Sequence, residues 1–297
     1  MSRPQLEEVS LALSKTLSTR IDPHPSARVH GGCINESYQW QTVDGPIFVK
    51  IASTDRLAMF EAEVAGLKEL KLARAVRVPE LLTVGLAGGK AYLALEWIDF
   101  STRHSAAEAR LGEQLARQHR ISAREFGWHR NNAIGSTPQV NKCSNDWVEF
   151  FRDHRLRYQF DLARRNGYEG WFQERGAELL EKMHAFFLDY RPSPSLLHGD
   201  LWGGNWAVDP NGEPVVFDPA VYYGDREADV AMTRLFAGFG SDFYRAYQTA
   251  WPLDRGAAAR VPLYNLYHVL NHLNLFGSGY LSQVESMIDR LLAELQD

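Results

Sequence analysis

The first hundred residues alternate between two helical patterns and several short β-type runs. Apolar side chains recur every three or four residues over 5–19 and again over 56–72, which places them on one face of a helix. β-Branched and aromatic residues bounded by turn residues such as Gly88-Gly89 predict two strands between these helices and two more after the second helix. The predicted strands cover residues 27–40, 46–52, 81–86 and 91–98.

Beyond residue 104 the pattern is that of long helices. Apolar spacings of three and four run through 105–120, 146–166 and 174–190, and helical texture returns from Glu227 to the end. Residues 196–220 interrupt this texture with two loops around a hairpin that turns at Asp209-Pro210-Asn211-Gly212. The chain therefore predicts an α+β protein with a small β-rich N-terminal lobe, residues 1–98, and a larger, mostly helical C-terminal lobe, residues 99–297.

Composition narrows the class of protein. The chain has 297 residues, 45% of them hydrophobic, which is enough to exclude a largely disordered chain. Lys and Arg number 32 against 37 Asp and Glu, a balance that argues against a nucleic-acid partner. Two cysteines cannot form a disulfide framework, so a reducing compartment is expected. The charged N-terminus does not look like a signal peptide, and no long uncharged apolar run suggests a membrane span. A cytoplasmic protein is expected.

The sharpest chemical signal is the stretch from His198 to Asn205, followed 13 residues later by Asp218. Phosphoryl transfer needs one carboxylate to orient the attacking hydroxyl, together with oxygen ligands for magnesium. Asp200, Asn205 and Asp218 supply these groups in the order of the kinase motifs HRD-x-x-x-x-N and DFG. The alternative, that the aspartates only cap turns, leaves Asn205 and the intervening hairpin unexplained. His198 is expected to support the loop by packing and hydrogen bonding.

A second signal is Lys50, which ends the apolar run 47–49. Glu63 follows 13 residues later in the helical pattern 56–72. A lysine there can reach the α- and β-phosphates of a nucleotide when an acidic residue holds it, as in kinases. Glu63 fits this role better than Glu61, which points away from the same helix face. The alternative is that Lys50 is simply solvated at the end of a strand. The kinase-like motif over residues 198–218 argues against this alternative.

Two weaker signals would complete a nucleotide site. Gly31-Gly32 precedes Lys50 between two β-type runs, where glycine lets backbone N–H groups approach phosphates closely. A bare hairpin is the alternative for this segment. Glu96-Trp97-Ile98 joins the two predicted lobes at the place where kinases read adenine through backbone groups. An ordinary edge strand would show the same apolar alternation, so this assignment depends on the others.

Together these residues resemble the fructosamine (ketosamine) kinase family, relatives of aminoglycoside and choline kinases. The resemblance runs from Gly31 to about Leu281 and includes stretches that look specific to that family. It implies a bilobal, protein-kinase-like fold with Asp200 as catalytic base, and it implies Asp229 as the residue that braces the catalytic loop from the next helix. The family-like stretches are Gly135–Gln139, Trp147 with Phe150-Phe151 and Arg155-Leu156, 196–205, 217–232 and 266–281.

The resemblance also implies the reaction. It is the ATP-dependent, magnesium-dependent phosphorylation of the O3 hydroxyl of a ketosamine, the rearranged adduct of a sugar and an amine. The 3-phosphate then eliminates and frees the amine, whether the substrate is a small molecule or a modified protein. Rings that could meet the sugar and the amine by stacking and hydrogen bonding are Trp202, Tyr222, Tyr223, His268 and His272. The alternative for the two histidines is a place in a plain amphipathic helix.

Other interpretations stay open. One is a kinase of another small hydroxylated amine, such as an aminoglycoside-like or choline-like metabolite. A non-catalytic nucleotide-binding protein would require Lys50, Asp200 or Asp218 to be missing, and all three are present.

Cys33 lies in the glycine turn, where backbone N–H groups and Lys50 favour the thiolate. We therefore expect either a monomer or a homodimer linked reversibly through Cys33, with a small residue tolerated at a strand end as the alternative.

Overall fold

A computed structural model describes residues 3–29, 36–236 and 238–295. The chain divides into two compact units. Unit 1 consists of Met1–Arg103 and Trp206–Asp218, and unit 2 of His104–Asn205 and Pro219–Asp297. The sequence places the lobe boundary at residue 98. Unit 1 extends five residues further, to Arg103, and also includes the hairpin that the sequence interpretation placed in the second lobe.

The N-terminal helices and strands follow the predicted order, and the later part adds short strands to the predicted helices and hairpin. The N-terminal elements are α1 (Arg3–Leu17), β1 (Ala27–Val29), β2 (Glu36–Thr42), β3 (Gly45–Ser53), α2 (Leu57–Ala73), β4 (Leu81–Ala87) and β5 (Lys90–Glu96). The later elements are α3 (Ser105–His119), β6 (Asn132–Ile134), β7 (Thr137–Gln139), α4 (Trp147–Phe151), α5 (Arg157–Arg165), α6 (Trp171–Lys182), β8 (Ser195–Leu197), β9 (Trp206–Val208), β10 (Pro214–Val216), β11 (Tyr222–Gly224), α7 (Arg226–Met232), α8 (Ser241–Ala250), α9 (Ala257–Phe276) and α10 (Leu281–Glu294).

Unit 1 is built on an antiparallel sheet with strand order β1-β2-β3-β5-β4. Side chains alternate between the two faces of a strand, so Val49 and Ile51 of β3 share one face and Lys50 lies on the other. Val49 and Ile51 are buried in a core with Val9 and Leu13 of α1. Helix α2 packs against β4 and β5. The alternation in β3 thus separates the apolar core from the buried lysine.

The hairpin β9–β10 also belongs to unit 1. Its turn forms as predicted, because the Asp209 carboxylate accepts hydrogen bonds from the backbone N–H groups of Asn211 and Glu213. The N–H of Ser101 donates to the Val208 carbonyl at 2.8 Å, and the N–H of Val216 donates to the Arg77 carbonyl at 2.9 Å. These bonds hold the hairpin within unit 1. They therefore also fix the position at which the chain continues into Phe217 and Asp218.

Unit 2 is mostly helical, with α3 packed on α8, and with α9 packed against α5, α7 and α10. The predicted helix over 146–166 is present but contains a π-helical turn at Arg152–Leu156. The helix predicted over 174–190 begins earlier, at Trp171, and becomes a 3₁₀ helix over Met183–Phe187. None of the helices described above has the length and apolar character that a membrane span requires.

Candidate active site

Lys50 is the centre of a buried charge cluster in unit 1. Its Nζ atom donates to Glu63 Oε1 at 2.7 Å and to Asp218 Oδ1 at 2.6 Å. The predicted contact between Lys50 and Glu63 is therefore present, and Glu61 lies exposed on α2. The ammonium group of Lys50 on β3 is thus contacted from two other segments. One is helix α2, and the other is Asp218, which follows the hairpin.

The electrostatics of this cluster keep Lys50 charged. Burial alone would lower the pKa of the lysine, but the charges and hydrogen bonds of Asp218 and Glu63 raise it above the usual range.

Asp218 differs from Lys50 and Glu63 because its side chain is 43% exposed. Its backbone φ of 57° is also uncommon for a residue other than glycine. Such conformations persist where surrounding contacts impose them, and they cluster at functional sites.

Asp229 anchors the loop that carries Asp200 in unit 2. Its Oδ2 accepts the backbone N–H of His198 at 2.7 Å, and its Oδ1 accepts that of Gly199 at 2.8 Å. Burial would raise the pKa of the Asp229 carboxyl, but His119 and these loop groups hold it below its usual value. The contact predicted between α7 and the loop is present.

Sequence reasoning missed His119, the third partner of Asp229. Its Nε2 lies 3.1 Å from Asp229 Oδ2 and its Nδ1 lies 2.8 Å from the Tyr247 hydroxyl. Burial lowers the pKa of His119, so the ring is neutral. Because the carboxylate can only accept, Nε2 carries the proton and Nδ1 accepts from Tyr247. A signal was available: His119 lies on the apolar face of α3, eight residues after the fully buried Leu111.

Gly199 permits the sharp turn of the loop. Its φ is +82°, and a Cβ atom there would lie 2.1 Å from the carbonyl oxygen of Ala220. The N–H of Ala220 in turn donates to the His198 carbonyl at 2.9 Å. Only glycine fits this position, because any side chain meets backbone rather than a movable group.

Asp200 and Asn205 lie on the same loop and are joined directly. Asn205 Nδ2 donates to the Asp200 carbonyl oxygen at 2.8 Å and to its carboxylate Oδ2 at 3.2 Å. The N–H of Asp200 donates to Nδ1 of the buried His198 at 3.3 Å, which is the loop support expected of that histidine. Asp200 is partly exposed, so its carboxylate can meet a substrate hydroxyl.

Each unit contains a side chain with an oxygen atom of the kind that magnesium takes in kinases. Within the described ranges, no group of three or more His, Cys, Asp or Glu side chains is placed to hold a metal. Magnesium in kinases needs only one or two protein oxygens, because phosphates and water complete its shell. The partly exposed carboxylate of Asp218 is one such donor. In Asn205 the amide nitrogen makes the bonds to Asp200, which leaves the amide oxygen as the donor atom.

The predicted nucleotide-binding segments have different outcomes. Gly31, Gly32 and Cys33 fall outside the described residues, so the phosphate-binding turn and the redox-dependent dimer stay predictions. Glu96 ends β5, where its N–H donates to the Glu80 carbonyl at 2.9 Å and its carboxylate accepts from Arg77 at 2.5 Å. These bonds tie Glu96 into unit 1. Of the predicted adenine-reading residues, Trp97 and Ile98 follow the strand and are partly exposed.

The predicted substrate-contacting rings divide by burial. Tyr222 is only 3% exposed, stacks on Phe150 and lies under the guanidinium of Arg155, 4.1 Å from its ring centre. His268 is also buried, and burial lowers its pKa to about 3. Burial disfavours direct substrate contact for these two side chains. The remaining three are partly exposed in unit 2: Trp202, Tyr223 and His272.

Comparison with known proteins gives concordant matches along the chain. The family model for fructosamine kinase matches residues 5–294. The chain is 45% identical over 272 residues to the chloroplastic protein-ribulosamine 3-kinase of Arabidopsis thaliana, covering 90% of this chain and 82% of that protein. A solved structure from Haemophilus somnus, described as that of a putative fructosamine-3-kinase, has a TM-score of 0.87 at 26% identity. That match covers 97% of this chain and 98% of the other.

A more distant match bears on the fold alone. The crystal structure of an aminoglycoside phosphotransferase has a TM-score of 0.63 at 15% identity and covers 97% of both chains. The α+β, protein-kinase-like fold predicted from the sequence is confirmed by this likeness together with the elements described above.

The Lys50 cluster yields a first prediction. Glu63→Gln removes one of the two charges that hold the buried ammonium, so we expect the KM for ATP to rise about tenfold. Glu61→Gln, two residues away on the exposed face of α2, is the matched control and should leave KM within about twofold. Steady-state kinetics at saturating acceptor measure both. Equal effects of the two substitutions would contradict the assignment of Glu63.

The loop glycine yields a second prediction. Gly199→Ala should lower the free energy of unfolding by more than about 3 kcal/mol and abolish activity, because its Cβ meets the Ala220 carbonyl. Gly89→Ala is the control that carries the backbone strain of a positive φ without a steric clash. Gly89 has a φ of +65°, and nothing lies within 4 Å of the point that a Cβ atom would occupy. That control should cost only about 1 kcal/mol and keep activity. Similar losses in chemical denaturation would refute the steric account.

Proposed function

This chain belongs to the fructosamine kinase family, and we propose that it transfers the γ-phosphate of ATP to the O3 hydroxyl of a ketosamine. The observation that carries the proposal is the hydrogen-bonded pair Asp200 and Asn205 on a loop anchored by Asp229. That arrangement presents one carboxylate at a fixed position, as the orientation of an attacking hydroxyl requires.

Asp200 acts on the acceptor hydroxyl. The transition state of phosphoryl transfer spreads charge over the phosphate oxygens, so positioning contributes more than proton abstraction. The Asp200 carboxylate accepts the hydrogen bond of the O3 hydroxyl, aims its lone pair at phosphorus, and takes the proton as the new bond forms. Asn205 restrains the carboxylate through its contact with Oδ2.

Lys50 acts on the nucleotide. Its ammonium, kept charged by Glu63 and Asp218, is suited to hold the α- and β-phosphates while the γ-phosphate leaves. Asn205 and Asp218 would each offer one oxygen to Mg²⁺, which supplies neutralising charge to the phosphates when it is bound. Trp97 and Ile98 are the residues we assign to the adenine, through their backbone groups.

The substrate class rests on the relatives. The Arabidopsis protein carries the name protein-ribulosamine 3-kinase, and 45% identity over most of both chains supports the same type of acceptor here. The product would carry its phosphate on C3, next to the ketone carbon. The phosphate can then leave by elimination through the C1–C2 enamine, and water hydrolyses the resulting imine to free the amine. We propose that the enzyme works in the cytoplasm and acts on ketosamines, either free or attached to protein.

A panel of acceptors tests this function. ADP release should be measured with ribulosamine, fructosamine and erythrulosamine adducts of one amine, and with choline and an aminoglycoside for comparison. We expect kcat/KM for the best ketosamine to exceed that for choline and the aminoglycoside by at least about a hundredfold, because kcat/KM reports differential transition-state binding. Comparable values would point to a kinase of another hydroxylated amine.

The catalytic loop yields a further prediction. Asp200→Asn keeps the shape of the side chain but removes its charge, so kcat should fall by at least about a hundredfold. Binding of ATP should be unchanged, because the nucleotide contacts assigned above lie on other residues. Titration calorimetry with ATP and single-turnover kinetics separate the two effects. Turnover within a few-fold of the wild type would remove Asp200 from the base role.

A further inference from the structure

The short hairpin β6–β7 presents two amide side chains next to each other. Asn132 and Gln139 are cross-strand partners in this hairpin, so their side chains leave the same face with about 5 Å between the Cβ atoms. The turn between the strands includes Gly135, whose φ of 62° favours glycine. Gln139 is buried, and its Nε2 donates to Asn132 Oδ1 at 2.9 Å. We call this pair, Asn132 and Gln139, the amide clamp.

The amide clamp supplies hydrogen bonds to a buried segment without regular structure. Residues 219–221 are buried and lie outside the helices and strands, so their carbonyl groups need donors from side chains. Gln139 Nε2 donates to the Ala220 carbonyl at 3.0 Å, and Asn132 Nδ2 donates to the Val221 carbonyl at 2.8 Å. Two consecutive carbonyl groups are thus held by two neighbouring amides.

Donors from outside the hairpin fix the orientation of both amides. The guanidinium of Arg155 can only donate, and its Nη2 lies 2.7 Å from Asn141 Oδ1. The Nδ2 of Asn141 therefore faces Asn132 Oδ1, at 2.8 Å, which leaves Asn132 Nδ2 to donate to the main chain. The Tyr267 hydroxyl donates to Gln139 Oε1 at 2.8 Å. Because these partners are buried, a reversed amide would leave polar atoms unpaired.

Ala220 connects the amide clamp with the catalytic loop. Its N–H donates to the His198 carbonyl at 2.9 Å. Its carbonyl oxygen, which the clamp holds, lies 2.1 Å from the point that a Cβ atom of Gly199 would occupy. On the other side, Asp229 accepts the N–H groups of the same two loop residues. The turn that precedes Asp200 is therefore held by two separate groups.

We propose that the amide clamp positions the catalytic base, because Gln139 fixes Ala220 and Ala220 in turn fixes the turn before Asp200. The proposal rests on the phosphoryl transfer proposed above and adds two positioning residues to it. They act through the main chain rather than on the substrate. A displacement of about 1 Å at a reacting group can cost on the order of a hundredfold in rate. A loop loosened on one side should therefore lose rate while nucleotide affinity is kept.

Gln139→Met tests the clamp, because methionine keeps the length of the side chain and removes its hydrogen bonds. We expect kcat with a ribulosamine to fall about tenfold. The KM for ATP should stay within about threefold, since the proposed phosphate clamp, Lys50 and Glu63, lies on β3 and α2. Asn132→Ala, at a partly exposed position, should lower kcat about threefold in the same way. It carries the test if Gln139→Met does not fold.

Gln173→Met is the matched control. Gln173 is a buried residue of α6 in the same unit, and its Nε2 also donates to two carbonyl groups, those of Phe160 and Tyr168. Gln139→Met and Gln173→Met should lower the unfolding temperature by similar amounts, because both lose two such bonds. Only the first should lower kcat by more than about twofold. The comparison separates lost stability from lost alignment.

A double substitution identifies the group through which the clamp acts. If the clamp positions the Asp200 carboxylate, its loss should matter little once that carboxylate is gone. Gln139→Met added to Asp200→Asn should then lower the residual single-turnover rate by less than about threefold. A further tenfold loss in the double variant would overturn the positioning of Asp200.

The remaining outcomes are distinct. Wild-type kcat in both Gln139→Met and Asn132→Ala would refute the role of the amide clamp while leaving the kinase function intact. Equal losses of kcat in Gln139→Met and Gln173→Met would also refute it. Wild-type protein that does not phosphorylate a ribulosamine would contradict the proposed function, and the positioning role of the clamp with it.

Discussion

The buried carboxylate of Asp229 is the group on which the catalytic loop depends. An ionised carboxylate out of water costs several kcal/mol unless donors surround it, and removing one partner leaves that cost uncompensated. Among the described residues, Asp229 accepts hydrogen bonds from the backbone N–H groups of His198 and Gly199 and from the His119 ring. His119 is itself oriented by Tyr247, whose hydroxyl accepts from Arg226. The loop conformation is therefore the one that satisfies this charge.

The need to neutralise a buried charge also organises unit 1, where the buried charge is positive. Lys50 is a buried cation, and it is stable there because Glu63 and Asp218 contribute opposite charges from other segments. In each unit a buried charge gathers groups that are far apart in sequence and fixes their geometry before any ligand binds. Preorganised polar groups of this kind stabilise developing charge without reorganising during the reaction. Stability of the fold and readiness for phosphoryl transfer thus come from the same contacts.

Local patterns predicted much of this arrangement, and long-range packing accounts for the rest. The contact between Lys50 and Glu63 was predicted from their kinase-like spacing and from the helix face on which Glu63 lies, and the turn at Asp209 from its residue types. The burial of Tyr222 could not be predicted, because it depends on Arg155 from the π-helical turn, far earlier in the chain. The inclusion of the hairpin in unit 1 likewise rests on bonds to Ser101 and Arg77, which no local pattern encodes.

The position of the phosphate on the product tests whether the O3 hydroxyl is the acceptor. After incubation of the enzyme with ATP and a ribulosamine, a phosphorus–proton correlation spectrum of the purified sugar product reports which carbon carries the phosphate. We predict a coupling between phosphorus and the proton on C3, followed by slow loss of the phosphate and release of the amine. A coupling to the proton of any other carbon, or consumption of ATP with no phosphorylated sugar, would contradict it.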